Sequence, residues 1–177
     1  MKIVKSTVSS IVLMIACLGS VKAQNAIEMT DSLYRAKYEY ALSQITPMVS
    51  QIAMYRDELT NIWHNAIIEG TYKGERCDDW NKAVNSYLTE RNESYFYSKI
   101  YKAGIADIKT QIKALNKYPA HLEKAFNELL DLGILIDEFY MKVDNPDGSY
   151  NLLSEETRDL YTRIKRKLYE LEMRYTD

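Results

Sequence analysis

From Tyr34 onward, apolar residues recur in alternating steps of four and three: Tyr38, Ala41, Ile45, Met48, Ile52, Tyr55, Leu59, Ile62 and Ala66. That spacing keeps one face of an α-helix apolar and predicts a long helix over residues 27–69 with a coiled-coil-like seam. Pro47 falls off the seam and the frame continues across it, so a single helix kinked at Pro47 is expected rather than two. Gly70 supplies the stop.

A second frame runs through Trp80, Val84, Tyr87, Arg91, Ser94, Ser98, Tyr101, Ile105, Ile108, Ile112 and Leu115. It predicts another long helix over residues 79–117, with Asp78 or Asp79 placed to cap its start. Its middle is polar, because Arg91, Ser94 and Ser98 hold seam positions. The helix therefore either breaks near Asn92 or exposes its seam there. Pro119 opens a third helix, marked by Leu122, Phe126, Leu129, Gly133, Ile136 and Tyr140. The run LLDLGILI is apolar on more than one face, which makes this the most buried helix. Gly133 sits on its seam, where a small residue lets a neighbour approach. The last helix carries Leu160, Ile164, Leu168, Leu171 and Tyr175, with a charged opposite face.

These elements define an all-α fold: an antiparallel helical bundle of two long helices and two shorter ones. At about 1.5 Å per residue the long pair would be roughly 65 and 58 Å in length, and the short pair about half that. Two short helices cover only one half of such a hairpin. The other half would stand out as a two-helix coiled-coil arm, tipped by TYKGERCDDW.

Between the last two helices lies VDNPDGSYNLLSEET, residues 143–157, rich in calcium-type ligands. In an EF-hand loop glycine is sixth, so Gly148 would put Val143 first and Ser154 twelfth, and neither is the carboxylate required. Starting at Asp144 brings Glu155 to the twelfth place but puts Pro146 third and Gly148 fifth. A turn explains the same residues: Pro146-Asp147-Gly148 reverses the chain, Ser154 caps the final helix, and Glu155 and Glu156 favour its positive end.

The amino terminus adds a compartment. Lys2 and Lys5 precede an apolar run from Val8 to Leu18, followed by Val21-Lys22-Ala23. This is the plan of a secretory signal peptide over residues 1–23, with a single helical-bundle domain over 24–177. The run is too short for a membrane span, which needs about 20 residues. A lipoprotein cut at Cys17 is the weaker alternative, because Met14-Ile15-Ala16 makes a poor lipobox. Cleavage after Ala23 removes Lys2, Lys5, Lys22 and no acid. From 23 basic and 25 acidic residues that leaves 20 and 25, a net charge of −5. Such a balance offers no basic face for nucleic acid and no patch for anionic lipid.

One cysteine, Cys77, then remains, so an intrachain disulfide is excluded. Asp78 and Asp79 follow it directly and disfavour the thiolate that a nucleophile needs. His64 and His121 belong to no H-E-x-x-H or Glu-x-x-His pattern. No glycine-rich phosphate loop and no G-x-S-x-G elbow occurs. Neither a metal nor a cofactor is implied, and an enzyme is not expected.

Tyrosine is the compositional oddity, with 15 Tyr against three Phe. Its rings either line half-wet seams or form a recognition surface. The leading expectation is an exported, non-enzymatic protein that works by contact with another envelope or extracellular protein, or with a second copy as a homodimer. The candidate contact residues are Trp63, His64, Tyr72, Cys77, Trp80, Tyr95, Tyr97 and Tyr101. The alternative is a carrier that holds a small ligand in a tyrosine-lined site within the bundle. No motif in the chain carries a resemblance to a known family.

Overall fold

The computed structural model describes residues 30–175. The leader expected over residues 1–23, Cys17 with it, and the start at Gln24 lie outside them. The described chain is all-α apart from one two-stranded hairpin. Among the described residues, no helix is long and apolar enough to cross a membrane.

Helix α1 spans Asp31–His64. Thr30 caps it, its hydroxyl oxygen accepting from the Leu33 amide at 3.3 Å. The helix runs through Pro47, which lies on the exposed side. There, water can satisfy the Ser43 carbonyl that proline leaves without a donor. The buried face follows the sequence frame with two instructive departures. Val49 and Trp63 are buried, while Met48 and Ile62 are only half-buried. A strict four-three alternation has a period of 3.5 and demands supercoiling, whereas a straight helix drifts about 20° per heptad away from it. The packed face of α1 drifts in that sense, so this is a bundle helix and not a coiled-coil strand.

A π-helical turn, Asn65–Glu69, ends at Gly70, which takes a left-handed φ of 62°. A hairpin follows, β1 (Thr71–Tyr72) against β2 (Glu75–Arg76), pairing Thr71 with Arg76 and Tyr72 with Glu75. Lys73 (φ 53°) and Gly74 (φ 79°) form its two-residue turn. Positive φ at both central positions is the I′ geometry that suits a twisted hairpin.

Helix α2 spans Trp80–Glu93 and is capped by Asp79, whose carboxylate accepts from the amides of Asn81 and Lys82 at 3.0 and 3.3 Å. It ends at Ser94, where ψ swings to 137°. The Ser94 hydroxyl donates to the Arg91 carbonyl at 2.8 Å and accepts from the Tyr97 amide at 3.2 Å. One serine thus closes α2 and opens the next segment. Of the two readings open for the 79–117 frame, a break near Asn92 or an exposed seam, the chain takes the break, at Ser94. A π-helical stretch, Phe96–Tyr101, leads into α3, Lys102–Ala114. Pro119 then precedes a 3-10 turn, Ala120–Leu122, and α4, Glu123–Asp144. Gly133 of α4 lies where Ile112 approaches: a Cβ placed there would sit 2.8 Å from the Ile112 Cδ1.

The last helix, α5, spans Tyr150–Tyr175. Its first turn is secured by Ser149, whose hydroxyl oxygen accepts from the Leu152 amide at 3.3 Å, and not by Ser154, which lies inside the helix. The earlier start lets the helix reach the end of α1. Tyr150 reaches Trp63 with ring centroids 6.5 Å apart, while at the other end Tyr175 meets Tyr38 at 5.5 Å. Helix α5 therefore runs antiparallel along α1 for most of its length. At about 1.5 Å per residue, its 26 residues cover roughly 39 Å of α1. Leu153 joins Leu59, Trp63 and Val84 in a second, smaller core. The expected two-helix arm is corrected: α5 covers its α1 side, and the hairpin folds back beside α2, where Lys73 reaches Glu90.

Candidate functional site

The end of the bundle where α1 gives way to α2 is built by three local devices: the π-helical turn after α1, the I′ hairpin and the Asp79 cap. Lys73 ties the hairpin to α2 through Glu90, 2.6 Å away. The Cys77 amide donates to the Gly70 carbonyl at 2.7 Å, closing the loop at its base. On this frame Trp63 is buried and faces Trp80 at 5.7 Å. Trp80 itself is 38% exposed, and the π-helical turn leaves Ile67 43% and Ile68 67% exposed. His64 is exposed, 6.1 Å from the Tyr150 ring. Tyr72 and Cys77 are half-buried, and the Cys77 thiol donates to the Asp79 carbonyl at 3.2 Å. The tip is thus a fixed backbone that presents aliphatic and indole surface.

A second cluster lies inside the body, where α2, the Phe96–Tyr101 segment and the end of α4 meet. Arg91 is buried. Its guanidinium donates to the carbonyls of Val143 and Asp144 at 2.9 and 3.1 Å and to the Asp144 carboxylate at 3.2 Å. Its charge sits 4.3 Å from the centre of the Tyr97 ring. Tyr97 donates a short hydrogen bond to Asp144, and Tyr140 donates to the same carboxylate at 3.2 Å. Tyr55 closes the cluster edge-on against Tyr97 and Tyr101, with centroids 4.8 and 5.0 Å away. Burial, reinforced by the hydrogen bond to Asp144, pushes the Tyr97 phenol far above its ordinary range. Burial and the nearby carboxylate likewise raise Tyr140, to about 12. Phenols so raised stay neutral and act as donors, and rings so close together fill the space between the helices.

The same cluster explains the 143–157 segment. The Asp144 carboxylate is engaged by Arg91, Tyr97 and Tyr140, and Gly148, with φ 79°, turns the chain. Among the described residues there is no group of three or more His, Cys, Asp or Glu side chains placed to hold a metal ion.

The eight residues singled out in the sequence divide by position. Trp63, His64, Tyr72, Cys77 and Trp80 come together at the tip. Tyr97 and Tyr101 are buried in the body cluster and Trp63 in the second core, so the expected role of all three in partner contact is corrected to packing. Tyr95 stands apart, 74% exposed. Sequence reasoning missed Ile67 and Ile68, which lie off the seam of α1. It also missed the pairing of Arg91 with Asp144. The signal for that pair was present: an arginine on a helix seam is either a solvated gap or a buried charge with a partner.

Architecture and tip together define an all-α bundle with a small β-hairpin folded against one end. Comparison with known proteins finds no matching family model, no matching curated protein and no matching solved structure.

Proposed function

We propose that the chain is an exported, non-enzymatic helical-bundle protein that acts by contact with another protein of the envelope or the extracellular space, and that its tip makes that contact. The observation that carries this reading is the exposure of Ile67, Ile68 and Trp80 on a backbone held by hydrogen bonds and the Lys73–Glu90 ion pair. Exposed aliphatic and indole groups on a fixed frame bind at low ordering cost, and Trp is enriched among interface hot spots. Export rests on the leader pattern of residues 1–23. The carrier alternative draws less support, because the tyrosines that would line its site pack on one another and on Arg91.

Affinity capture of the native protein beside an Ile68→Asp variant tests the reading, with native mass spectrometry of the captured material. A partner protein held by the native chain and weakened at least about tenfold in the variant supports it. A small molecule travelling with the chain, or a partner indifferent to the substitution, overturns it.

A further inference from the structure

The acidic balance of the expected mature chain, 20 basic against 25 acidic residues, conceals an excess of the opposite sign along one edge of the bundle. Between Ser94 and Leu122 the chain has five lysines and one acid, Asp107. Taking these from 20 and 25 leaves 15 basic and 24 acidic residues for the rest. Two of the five lysines are engaged: Lys109 pairs with Asp137, and Lys102 lies 3.9 Å from Asp144. Lys99, Lys113 and Lys117 are exposed and make no ion pair among the described residues. On α3, Ile105, Ile108 and Ile112 face the core, so Ala103, Ala106, Thr110 and Lys113 form the outward side. Asp107, the one acid there, is held by Gln111 at 2.5 Å. At the head of this side Tyr97 and Tyr101 turn inward and leave Tyr95, Phe96 and Ile100 74%, 46% and 50% exposed around Lys99. We infer that this face docks on an anionic lipid surface, with the three apolar side chains at the interface and the lysines on the phosphates.

Charge spacing and side-chain type single out this occupant. From Lys99 to Lys113 the helix axis advances roughly 20 Å. That is more than two Debye lengths at physiological salt, where one is about 8 Å. A compact anion can therefore engage one of these ammoniums, whereas a charged plane meets them all. Lysines near such a plane add their contributions. Tyrosine is enriched at headgroup depth, where its ring is half dry and its hydroxyl wet. Phenylalanine and isoleucine suit the acyl boundary beneath, and lysine stems lie along apolar surface while their ammoniums reach the headgroups. The contact is peripheral, because no described helix is long and apolar enough to cross a membrane. Helix α2, Trp80–Glu93, separates it from the tip.

Co-sedimentation of the native protein with vesicles of phosphatidylglycerol and phosphatidylethanolamine, beside vesicles of phosphatidylcholine alone, tests this at low salt. Binding is expected to the anionic vesicles only and should fall as salt is raised. Lys99→Gln combined with Lys113→Gln should weaken it at least about tenfold. Tyr95→Ser combined with Ile100→Ser should weaken it about as much. Lys37→Gln combined with Lys165→Gln makes the same charge change on α1 and α5 and should have little effect. All six side chains are exposed, so circular dichroism should show an unchanged helical fold. No binding to anionic vesicles, the result expected if an acidic protein covers the face instead, would overturn the inference. So would equal binding to phosphatidylcholine, or binding by either of the first two double variants as tight as that of the control.

Discussion

Arg91 of α2 caps the end of α4 by reaching Asp144, 53 positions further along the chain, through both its carbonyl and its carboxylate. The last carbonyls of a helix have no partner within it and form the negative end of its dipole. Here a cation from another helix supplies the partner, and Tyr97 and Tyr140 complete the shell of the carboxylate. Arg91→Ala leaves the Asp144 carboxylate with Lys102, 3.9 Å away and half-exposed, as its remaining counter-charge and should cost about 2–4 kcal/mol in urea unfolding. Arg91→Lys should recover only part of that, because an ammonium cannot reproduce the guanidinium fork across two carbonyls and a carboxylate. A loss below about 1 kcal/mol for Arg91→Ala would mean that the pair contributes little beyond an exposed one.

Buried phenols give the fold an alkaline limit. Burial pushes Tyr34 up to about 12 and raises Tyr38, Tyr97 and Tyr101 as well. In the unfolded chain a phenol ionises near pH 10. The folded state holds the neutral form more tightly, so the stability these groups contribute is complete below about pH 10 and is lost as the pH rises through about 12. Phenolate absorbance and helical ellipticity followed together should show these groups ionising only as helix is lost. Ionisation of all 15 tyrosines near pH 10 with the helix intact would contradict the packing described.

Protection against hydrogen exchange should separate α2 from the rest. Helix α2 buries Ala83, Val84 and Arg91, while α4 buries residues along its whole length, Leu129, Leu132, Ile136 and Phe139 among them. Amides of α2 should therefore open at lower free energy than those of α4. Amides from Ile52 to Trp63, covered by α5, should approach the protection of α4. If they exchange as fast as those of α2, Tyr150 and Leu153 do not hold the second core.

The compartment has a direct readout in mass. The Val21-Lys22-Ala23 pattern leads us to expect an exported chain that begins at Gln24. Intact mass of the native protein should match that start, with or without cyclisation of the glutamine. A diacylglyceryl group on Cys17 would place the chain among lipoproteins instead.

Much of this architecture was legible because it rests on local rules. The apolar frames located the helices, Gly70 stopped the first, Asp79 capped the second, and Gly133 admitted Ile112. The break at Ser94 was half visible, since three polar seam positions in succession announce either a gap or a bend. Its outcome depended on Asp144, too distant in sequence to be paired by periodicity. The start of α5 was misplaced because Ser149 and Ser154 are both good caps, and only packing of Tyr150 and Leu153 on Trp63 and Leu59 favours the earlier one. That shift adds only about 7 Å of cover; the rest of the expected arm is lost because α1 runs only from Asp31 to His64 and α5 lies along it from Tyr38 to Trp63. The hairpin was legible in principle from Lys73-Gly74 between two short extended pairs, but two-residue strands leave no periodicity to read. Of the candidate contact residues, His64, Tyr72, Cys77 and Trp80 lie near one another because that stretch is continuous in the chain, while Trp63 turned inward to the second core. Tyr97 and Tyr101 did not, because a tyrosine-rich run looks alike whether it faces water or Arg91.

Site-specific photo-crosslinking in the cells that export the protein tests the proposed role of the tip most directly. A photoreactive residue would replace Ile68 or Trp80 at the tip, with Arg166, on the exposed face of α5, as the control position. Contact through the tip predicts a discrete adduct with one partner protein from positions 68 and 80 and none from 166. No adduct from the tip, or the same adducts from all three positions, would contradict it.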